Sequence, residues 1–528
     1  MTSKPQQPGS QAPRGIEGTR VSRRTALRQL AGAAAVCGAL GVDAASGPGQ
    51  PAPAPRPAHR SKPNLVQREN ERRGTLEWQL TKTGVDPKTK YRCPWIEGYC
   101  SATSVTAGEK IRFFVSTNPP TAFTLEIYRM GYYGGTGGRL MRKLGPFSGS
   151  IQTDPPIGPN RVRECRWDAC AELTIPRDWL SGVYLGKLTA TRSGWQSYVI
   201  FIVKDQRRAD FLFQCSDNTW QAYNRWPSQF ALYDDGKEQW YWGPGVDVCF
   251  DRPYGKYCQI LDAPLSTGSG EWFLWEFPTA YWMESQGYDV SYISNFDTHT
   301  HKESLLRAKA LLSNGHDEYY SIAMFENLRW AIGQGLNIGF LSGNTACGRI
   351  DPRPNSVGTP DRVFSRVDFF GPPDMAEYAL FPSMARLPHQ SPNANLLVGA
   401  RSVAPITGGA AWTCVKPEHW LFEGTGMKSG DGIPGLVGWE WHGDPAPIPG
   451  LEIVASGKTQ NGTREGLYTA TLYPGPKGNL VFNASTCWWS DALSEPPGYV
   501  RPEVYTKPLG PDPRAQRITR NLLDRFKA

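Results

Sequence analysis

The stretch "SNGHDEYYS", Ser313–Ser321, combines a histidine, two acids and two tyrosines that can transfer a proton or bind a metal. Gly315 permits a sharp turn, and Ser321 can cap a following helix. A tyrosine, with its ordinary pKa of about 10, becomes a metal ligand only beside a hard trivalent ion that displaces its proton. The stretch is therefore either a metal or acid–base site, or a polar turn in which Asp317 and Glu318 stabilise the first helical turn while the tyrosines pack.

A second candidate is "NFDTHTH", which contains Asp297, His299 and His301. On a strand, the two histidines would point to one face, which is a common arrangement of metal ligands. In a loop, the same residues would form a polar turn. The segment therefore leaves open a hydrolase that uses a histidine- and aspartate-bound metal.

A third group lies further along the chain. In "KPEHWLFEGTGM", His419 and Glu423 are four residues apart and would share a face of a helix, although the glycines indicate a loop. "GLVGWEWHGDP" adds Glu440 and His442. The chain lacks the GxSxG and HExxH motifs, and we find no cysteine at the strand-exit turn that a Cys–His amidotransferase requires.

The elements that must position these residues change in type along the chain. Residues 76–204 contain short β-branched and aromatic runs between turn residues, which predicts an antiparallel, immunoglobulin-like β-sandwich. Residues 205–528 alternate apolar strands with helical patterns, which predicts a larger α/β domain with a mostly parallel sheet of the amidotransferase or flavodoxin type. In such sheets ligands bind at the carboxyl ends of the strands, where "SNGHDEYYS" and "SGNTAC" fall.

The positive charge is concentrated at the start of the chain. Residues 1–73 carry twelve basic and four acidic residues, so the formal charge of +8 belongs to them and the rest is neutral. Nucleic acid is therefore not an expected partner. Residues 1–45 have the layout of a twin-arginine signal peptide, and residues 46–75 read as a Pro/Ala-rich disordered linker. We expect export to the periplasm or the medium, with no membrane-spanning segment in the mature form.

The cysteine count agrees with an oxidising compartment. Eleven cysteines are present, and ten remain if Cys37 is removed with the leader. An even number of cysteines in an exported protein predicts disulfides. The close pairs are Cys93/Cys100, Cys165/Cys170 and Cys249/Cys258.

Several motifs resemble the N,N-dimethylformamidase large (beta) subunit family, most closely an exported branch of it. They are "LEIYRMGYYGG", "SNGHDEYYS", "GLNIGFLSGN" and "KPEHWLFEGTGMKSGDGIPGLVGWEWHG", and the likeness extends from about residue 90 to the end. The resemblance implies hydrolysis of an N-substituted formamide at an iron(III) ion held by two tyrosines and a glutamate, with a histidine and another glutamate nearby. "SGNTACGRIDP" departs from the family pattern, which implies a changed substrate pocket.

Carried over residue by residue, the resemblance implies Tyr319, Tyr281 and Glu423 as the ligands of Fe(III). It implies His419 as the nearby histidine, and we add Glu440 and His316 as further candidates for proton transfer. The expected function is thus an exported metal-dependent hydrolase of a C–N amide bond in a small molecule. A non-catalytic secreted or surface binding protein on the same scaffold is the alternative, and a homo-oligomer stays open.

Overall fold

Two β-sheets are formed by the first strands of the protein. The computed structural model describes residues 62–238, 240–256, 267–372, 379, 381–401, 407–501 and 510–528. Strands β1, β3 and β6 form one sheet, and β2, β8, β7, β4 and β5 form the other in that order. Apolar side chains from both sheets, among them Phe113, Leu125 and Phe201, share one core. The strand bounds are β1 Glu97–Cys100, β2 Ser104–Thr106, β3 Lys110–Ser116, β4 Phe123–Met130, β5 Gly138–Phe147, β6 Ala169–Thr174, β7 Gly182–Ala190 and β8 Gln196–Lys204.

A nine-stranded sheet dominates the rest of the described chain. Its order is β11-β9-β12-β14-β21-β20-β19-β17-β18, and a smaller sheet has the order β10-β16-β15-β13. The bounds are β9 Ala209–Gln214, β10 Asp247–Cys249, β11 Val290–Ile293, β12 Ala308–Gly315, β13 Tyr319–Ser321, β14 Asn337–Ser342, β15 Gly348–Arg353, β16 Val363–Phe369, β17 Thr407–Thr413, β18 Gly432–Glu440, β19 Glu452–Asn461, β20 Arg464–Pro474 and β21 Leu480–Asn483.

The helices are short, apart from two. They are α1 Leu65–Asn70, α2 Asp217–Tyr223, α3 Trp272–Trp275, α4 Phe277–Ser285, α5 Asn295–Thr300, α6 Ile322–Gln334, α7 Asn395–Val398 and α8 Pro513–Lys527. Helix α6 begins at the predicted cap: the Ser321 side chain accepts a hydrogen bond from Met324 N. Gly335 closes the helix in the left-handed region with φ +103°. The predicted cap at Ser321 is therefore confirmed.

The predicted fold class, a sandwich followed by an α/β domain with a mostly parallel sheet, is wrong. Strands β11, β9, β12, β14 and β21 are parallel, but β20, β19, β17 and β18 continue the same sheet in antiparallel pairs. The protein is thus mainly β, with antiparallel and mixed sheets. The strand–helix alternation that predicted a parallel sheet stops near residue 350. Periodicity could not reveal that the later hairpin strands join the edge of that sheet.

Helix α1 lies within residues 46–75, the segment predicted as a disordered linker. The predicted signal peptide and the linker up to residue 61 lie outside the described residues. Residues 62–528 form one compact unit, and a single core joins Trp78 and Tyr128 to Tyr468 across the proposed boundary at residues 204/205. In the part of the chain that the structure describes, no helix has the length and apolar character to cross a membrane.

The expected disulfides are not seen among the described residues. Cys93, Cys100, Cys165, Cys170, Cys215, Cys249, Cys414 and Cys487 form no disulfide. The close pairs Cys93/Cys100 and Cys165/Cys170 are therefore not bonded, and Cys258 lies outside the described residues. Most of these side chains are buried.

A buried ion pair joins β4 to α4. The Arg129 guanidinium donates to both carboxylate oxygens of Glu284, at 2.8 and 3.1 Å, and both side chains are fully buried. Tyr292 Oη also donates to Glu284, at 3.0 Å. Removing one partner of such a pair leaves an uncompensated buried charge.

We expect Glu284→Ala to lower the free energy of unfolding by about 3–5 kcal/mol, measured by urea denaturation. Glu238→Ala is the matched control, because Glu238 pairs with Arg386 at the surface, where ion pairs contribute less than about 1 kcal/mol. Equal destabilisation by the two substitutions would contradict a structural role for the buried pair.

Candidate active site

Polar side chains converge where several strands of the large sheet end. His316 follows β12, Asn344 follows β14, Cys487 comes shortly after β21, and Glu440 is the last residue of β18. Gly315 makes the turn into His316 with φ +65°, and an added Cβ there would lie 2.3 Å from Trp275 Cβ. Only glycine fits this position, since a side chain would be both strained and in collision.

His316 lies between two carboxylates. Its Nε2 is 2.5 Å from Glu440 Oε2 and 3.3 Å from Glu318 Oε2, and the three side chains are almost completely buried. Asn344 Nδ2 donates to Glu440 Oε2 at 2.9 Å, which holds that carboxylate in place. The His316–Glu440 contact is short enough to carry a proton between imidazole and carboxylate.

Burial and charge shift the protonation of this cluster. Burial alone would lower the pKa of His316, but the carboxylates of Glu440, Glu318 and Glu271 raise it to about 9. Burial raises the pKa of Glu318 to about 7, although His316 and Arg366 oppose the rise. Burial likewise raises the pKa of Glu271 to about 8. An excess of buried acid around one imidazole favours the binding of a cation.

Two tyrosine hydroxyls meet beside Glu318. The Tyr319 and Tyr233 hydroxyls are in direct hydrogen-bond contact. Tyr233 Oη also lies 3.2 Å from Glu318 Oε2, and Tyr223 Oη donates to the same oxygen at 2.8 Å. All of these side chains are buried. Tyr319, Tyr233 and Glu318 therefore offer oxygen donors at one point.

A buried arginine completes this half of the site. Arg366 donates from Nη2 to Tyr319 Oη at 2.7 Å. Its guanidinium lies over the rings of Tyr233 and Trp242, 4.7 and 5.3 Å from their centroids. Burial raises the pKa of Tyr319 well above its usual range, and Arg366 opposes that rise. The guanidinium thus favours negative charge on the Tyr319 oxygen.

The Asp317 carboxylate has a structural role. Its carboxylate accepts hydrogen bonds from Gln214, Ser313, Tyr320 and Asn295 at 2.6–3.0 Å. These donors come from β9, β12, β13 and α5. Asp317 therefore ties the strand ends together and holds the turn from which His316, Glu318 and Tyr319 project.

The structure gathers only some of the residues suggested by sequence. His316, Glu440 and Tyr319 belong to the buried cluster, whereas Tyr281 on α4 is half-buried against Tyr132 and Phe277, with ring centroids 5.2 and 5.9 Å away. The Glu423 side chain is exposed. The expected ligands Tyr319, Tyr281 and Glu423 thus lie in three separate environments.

His419, the histidine expected near the metal, has neighbours outside the buried cluster. His419 Nδ1 accepts from Leu421 N at 3.2 Å, and its Nε2 is 3.8 Å from Glu452 Oε1 on β19. Burial lowers the pKa of His419. His442 accepts from Thr345 N at 2.9 Å, and burial lowers its pKa to about 4, which keeps it neutral.

The alternative His/Asp set does not converge. Asp297 binds Ser294 and Lys204, and His299 Nδ1 contacts Ser321 Oγ at 2.7 Å. His301 ends α5 with an exposed side chain. Asp297 therefore caps α5 and neutralises a lysine, while the two histidines serve other contacts.

Sequence reasoning missed Tyr233, Arg366, Glu318 as a donor, and Cys487. Tyr233 lies in a loop and Arg366 in β16, an inner strand of the small sheet, and neither belongs to a recognisable motif. Each comes within reach of Tyr319 only through the tertiary fold. Glu318 was visible in "GHDEYYS" but reads equally well as a helix-start acid. Cys487 comes shortly after β21 and therefore lies at a strand exit, but not in the turn where a nucleophilic cysteine would be expected.

We expect the metal-free protein to lose stability as the pH rises from about 6.5 to 9. His316 has a raised pKa, so its stabilising contribution is full below its ordinary value and is lost as pH rises through about 9. Glu318 and Glu271 also have raised pKa values, so ionising them in the folded protein costs free energy as pH rises through about 7 and 8. Urea midpoints measured across this range test the expectation, and stability that rises with pH would contradict it.

A comparison with protein-family models gives one finding. The model described as N,N-dimethylformamidase beta subunit-like, C-terminal, matches residues 124–502. This range covers well over half of the chain and contains the whole buried cluster, so the resemblance stated from the sequence is confirmed. No curated protein matches the chain.

Proposed function

Because the chain belongs to the N,N-dimethylformamidase beta subunit-like, C-terminal family, we propose that it is an exported, metal-dependent hydrolase of a formamide-like C–N amide bond. One observation carries the proposal. The hydroxyls of Tyr319 and Tyr233 meet beside Glu318, and His316, which pairs with Glu440, lies 3.3 Å from the same carboxylate. A metal site and a proton-transfer pair are thus adjacent.

The donor set fits a hard trivalent cation. Tyr319, Tyr233 and Glu318 are all oxygen donors, which suit Fe(III). In this set Tyr233 and Glu318 replace Tyr281 and Glu423, whose side chains lie away from Tyr319. Such an ion would act as a Lewis acid, which polarises a carbonyl oxygen and lowers the pKa of bound water. The ion's charge also offsets the burial that otherwise keeps the tyrosines protonated.

The chain's own residues would then move the protons. Hydrolysis adds a water oxygen to the amide carbon, breaks the C–N bond and requires a proton on the departing nitrogen. Glu440, fixed by Asn344, can take the proton from water, while His316, whose pKa is raised to about 9, can donate a proton from its imidazolium to the departing amine. Because these side chains are buried away from water, the electrostatic interaction between His316 and Glu440 is stronger than it would be at the surface.

Iron content, the visible spectrum and turnover of the purified mature chain test this function together. We expect a tyrosinate-to-iron charge-transfer band and release of amine and formate from an N-substituted formamide. Metal-free protein without turnover would contradict the proposal and favour a secreted binding protein. Activity that requires zinc instead would favour another metal chemistry.

Export is part of the proposal and rests on the leader alone, with its Arg23–Arg24 pair and apolar run. Cell fractionation of the full-length protein tests it. A full-length protein that stays in the cytoplasm would contradict export.

A further inference from the structure

A thiol lies beside the proton-transfer pair and has no part in the proposed function. Cys487 begins a 3₁₀ helix after β21, and Thr486 caps that helix by accepting from Trp488 N. Gly343 packs against the cysteine so closely that an added Cβ would lie 3.0 Å from Cys487 Sγ and 2.3 Å from Glu440 O. This close approach of backbone brings the thiol against Glu440 and His316.

Three donors of different chemistry meet there. A ring nitrogen of His316, a carboxylate oxygen of Glu440 and Cys487 Sγ all lie within 4.8 Å of one another, and all three residues are buried. Glu318 Oε2, which belongs to the tyrosine site, is 3.3 Å from His316 Nε2, so these three donors lie directly beside that site. Glu440 and Glu318 both pair with His316, so a bound cation would take over the charge compensation that the imidazolium provides.

We propose that His316, Glu440 and Cys487 form a second metal position, separate from the tyrosine site, which takes a thiophilic divalent ion of the zinc type. Zinc binds cysteine, histidine and carboxylate ligands together at about 2.0–2.3 Å, so its donors lie a few ångströms apart, as these do. The sulfur ligand favours zinc-like ions over hard cations. Binding releases the thiol proton and the His316 Nε2 proton to solvent, which leaves sulfur as the thiolate ligand and the imidazole as a neutral ligand.

Occupation of this position would inhibit the enzyme. His316 and Glu440 carry protons through the same nitrogen and oxygen atoms that would bind the ion. Once those atoms bind the ion, Glu440 can no longer take a proton from water and His316 can no longer give one to the amine. Zinc at this position therefore acts as an inhibitor of the proposed hydrolysis, while the ion itself can be detected without any activity.

Cobalt(II) titration of the purified mature chain tests the second position, since cobalt substitutes for zinc and is coloured. We expect a sulfur-to-cobalt charge-transfer band that saturates at one ion per chain and disappears when zinc is added. Cys487→Ser should abolish the band and weaken zinc binding by at least about tenfold, since even residues behind a ligand cost this much. Absence of the band in the wild-type protein overturns the proposal.

Cys100→Ser is the matched control, because Cys100 is also buried but its charged neighbour is the Arg362 guanidinium. The cobalt band should survive this substitution, and a band that survives Cys487→Ser overturns the proposal. X-ray absorption by zinc bound to the wild-type chain gives a result that needs no variant. One sulfur neighbour supports the site, and none overturns it. The iron band of the tyrosine site reports separately on the proposed function.

Discussion

Replacing Glu440 by glutamine is expected to slow amide hydrolysis by about 10²–10⁴-fold, the usual contribution of a positioned acid–base group. Glutamine keeps the size of the side chain and can still bond to Asn344, but it cannot balance an imidazolium at His316. The loss should therefore appear in kcat more than in KM, measured by release of amine from a formamide at saturating substrate.

Glu423→Gln is the control for this prediction. Glu423 is exposed and its backbone carbonyl, not its side chain, accepts from Asn521 at 2.8 Å. We expect nearly unchanged turnover and stability, since surface substitutions away from special features rarely cost more than about 0.5 kcal/mol. A large loss from Glu423→Gln with little loss from Glu440→Gln would contradict the site described above.

Tyr319→Phe is expected to remove the charge-transfer band and to lower bound iron by at least about tenfold, since it deletes one of three anionic ligands. The substitution also leaves the Arg366 guanidinium without its hydroxyl acceptor. Iron content and the visible spectrum, measured on the same sample, check both effects.

Tyr320→Phe controls for damage to the fold at this position. Tyr320 is the next residue in β13 and is equally buried, but its hydroxyl donates to Asp317 at 2.8 Å rather than facing Tyr233. This variant should lose some stability and keep the band. Loss of iron in Tyr320→Phe equal to that in Tyr319→Phe would show that the effect is general unfolding and not loss of a ligand.

Local signals in the sequence predicted local structure well. A capping serine marked the start of α6, because caps depend on residues close in the chain. The sequence also placed "SNGHDEYYS" at a strand exit, and His316 does come directly after β12, whereas Tyr319 begins the short strand β13. The motif resemblance identified the family, which the match over residues 124–502 confirms.

Pairings between distant residues could not be predicted in this way. Tyr233 and Tyr319 are 86 positions apart, and their contact depends on the loop after α2 folding over the strand ends. The Glu440–His316 contact requires β18, an antiparallel strand at the far edge of the sheet, to return its end to β12. A sequence without aligned relatives carries no record of such contacts, so Tyr281 and Glu423 were chosen by their place in motifs alone.

The identity of the second tyrosine ligand tests the central claim most directly. The visible spectrum of the iron-loaded protein should be compared for Tyr233→Phe and Tyr281→Phe. Tyr233 contacts Tyr319 and Glu318, whereas Tyr281 packs against Tyr132 and Phe277. We predict that Tyr233→Phe loses or strongly shifts the tyrosinate band and that Tyr281→Phe leaves it unchanged. A band lost in Tyr281→Phe and retained in Tyr233→Phe would contradict the site.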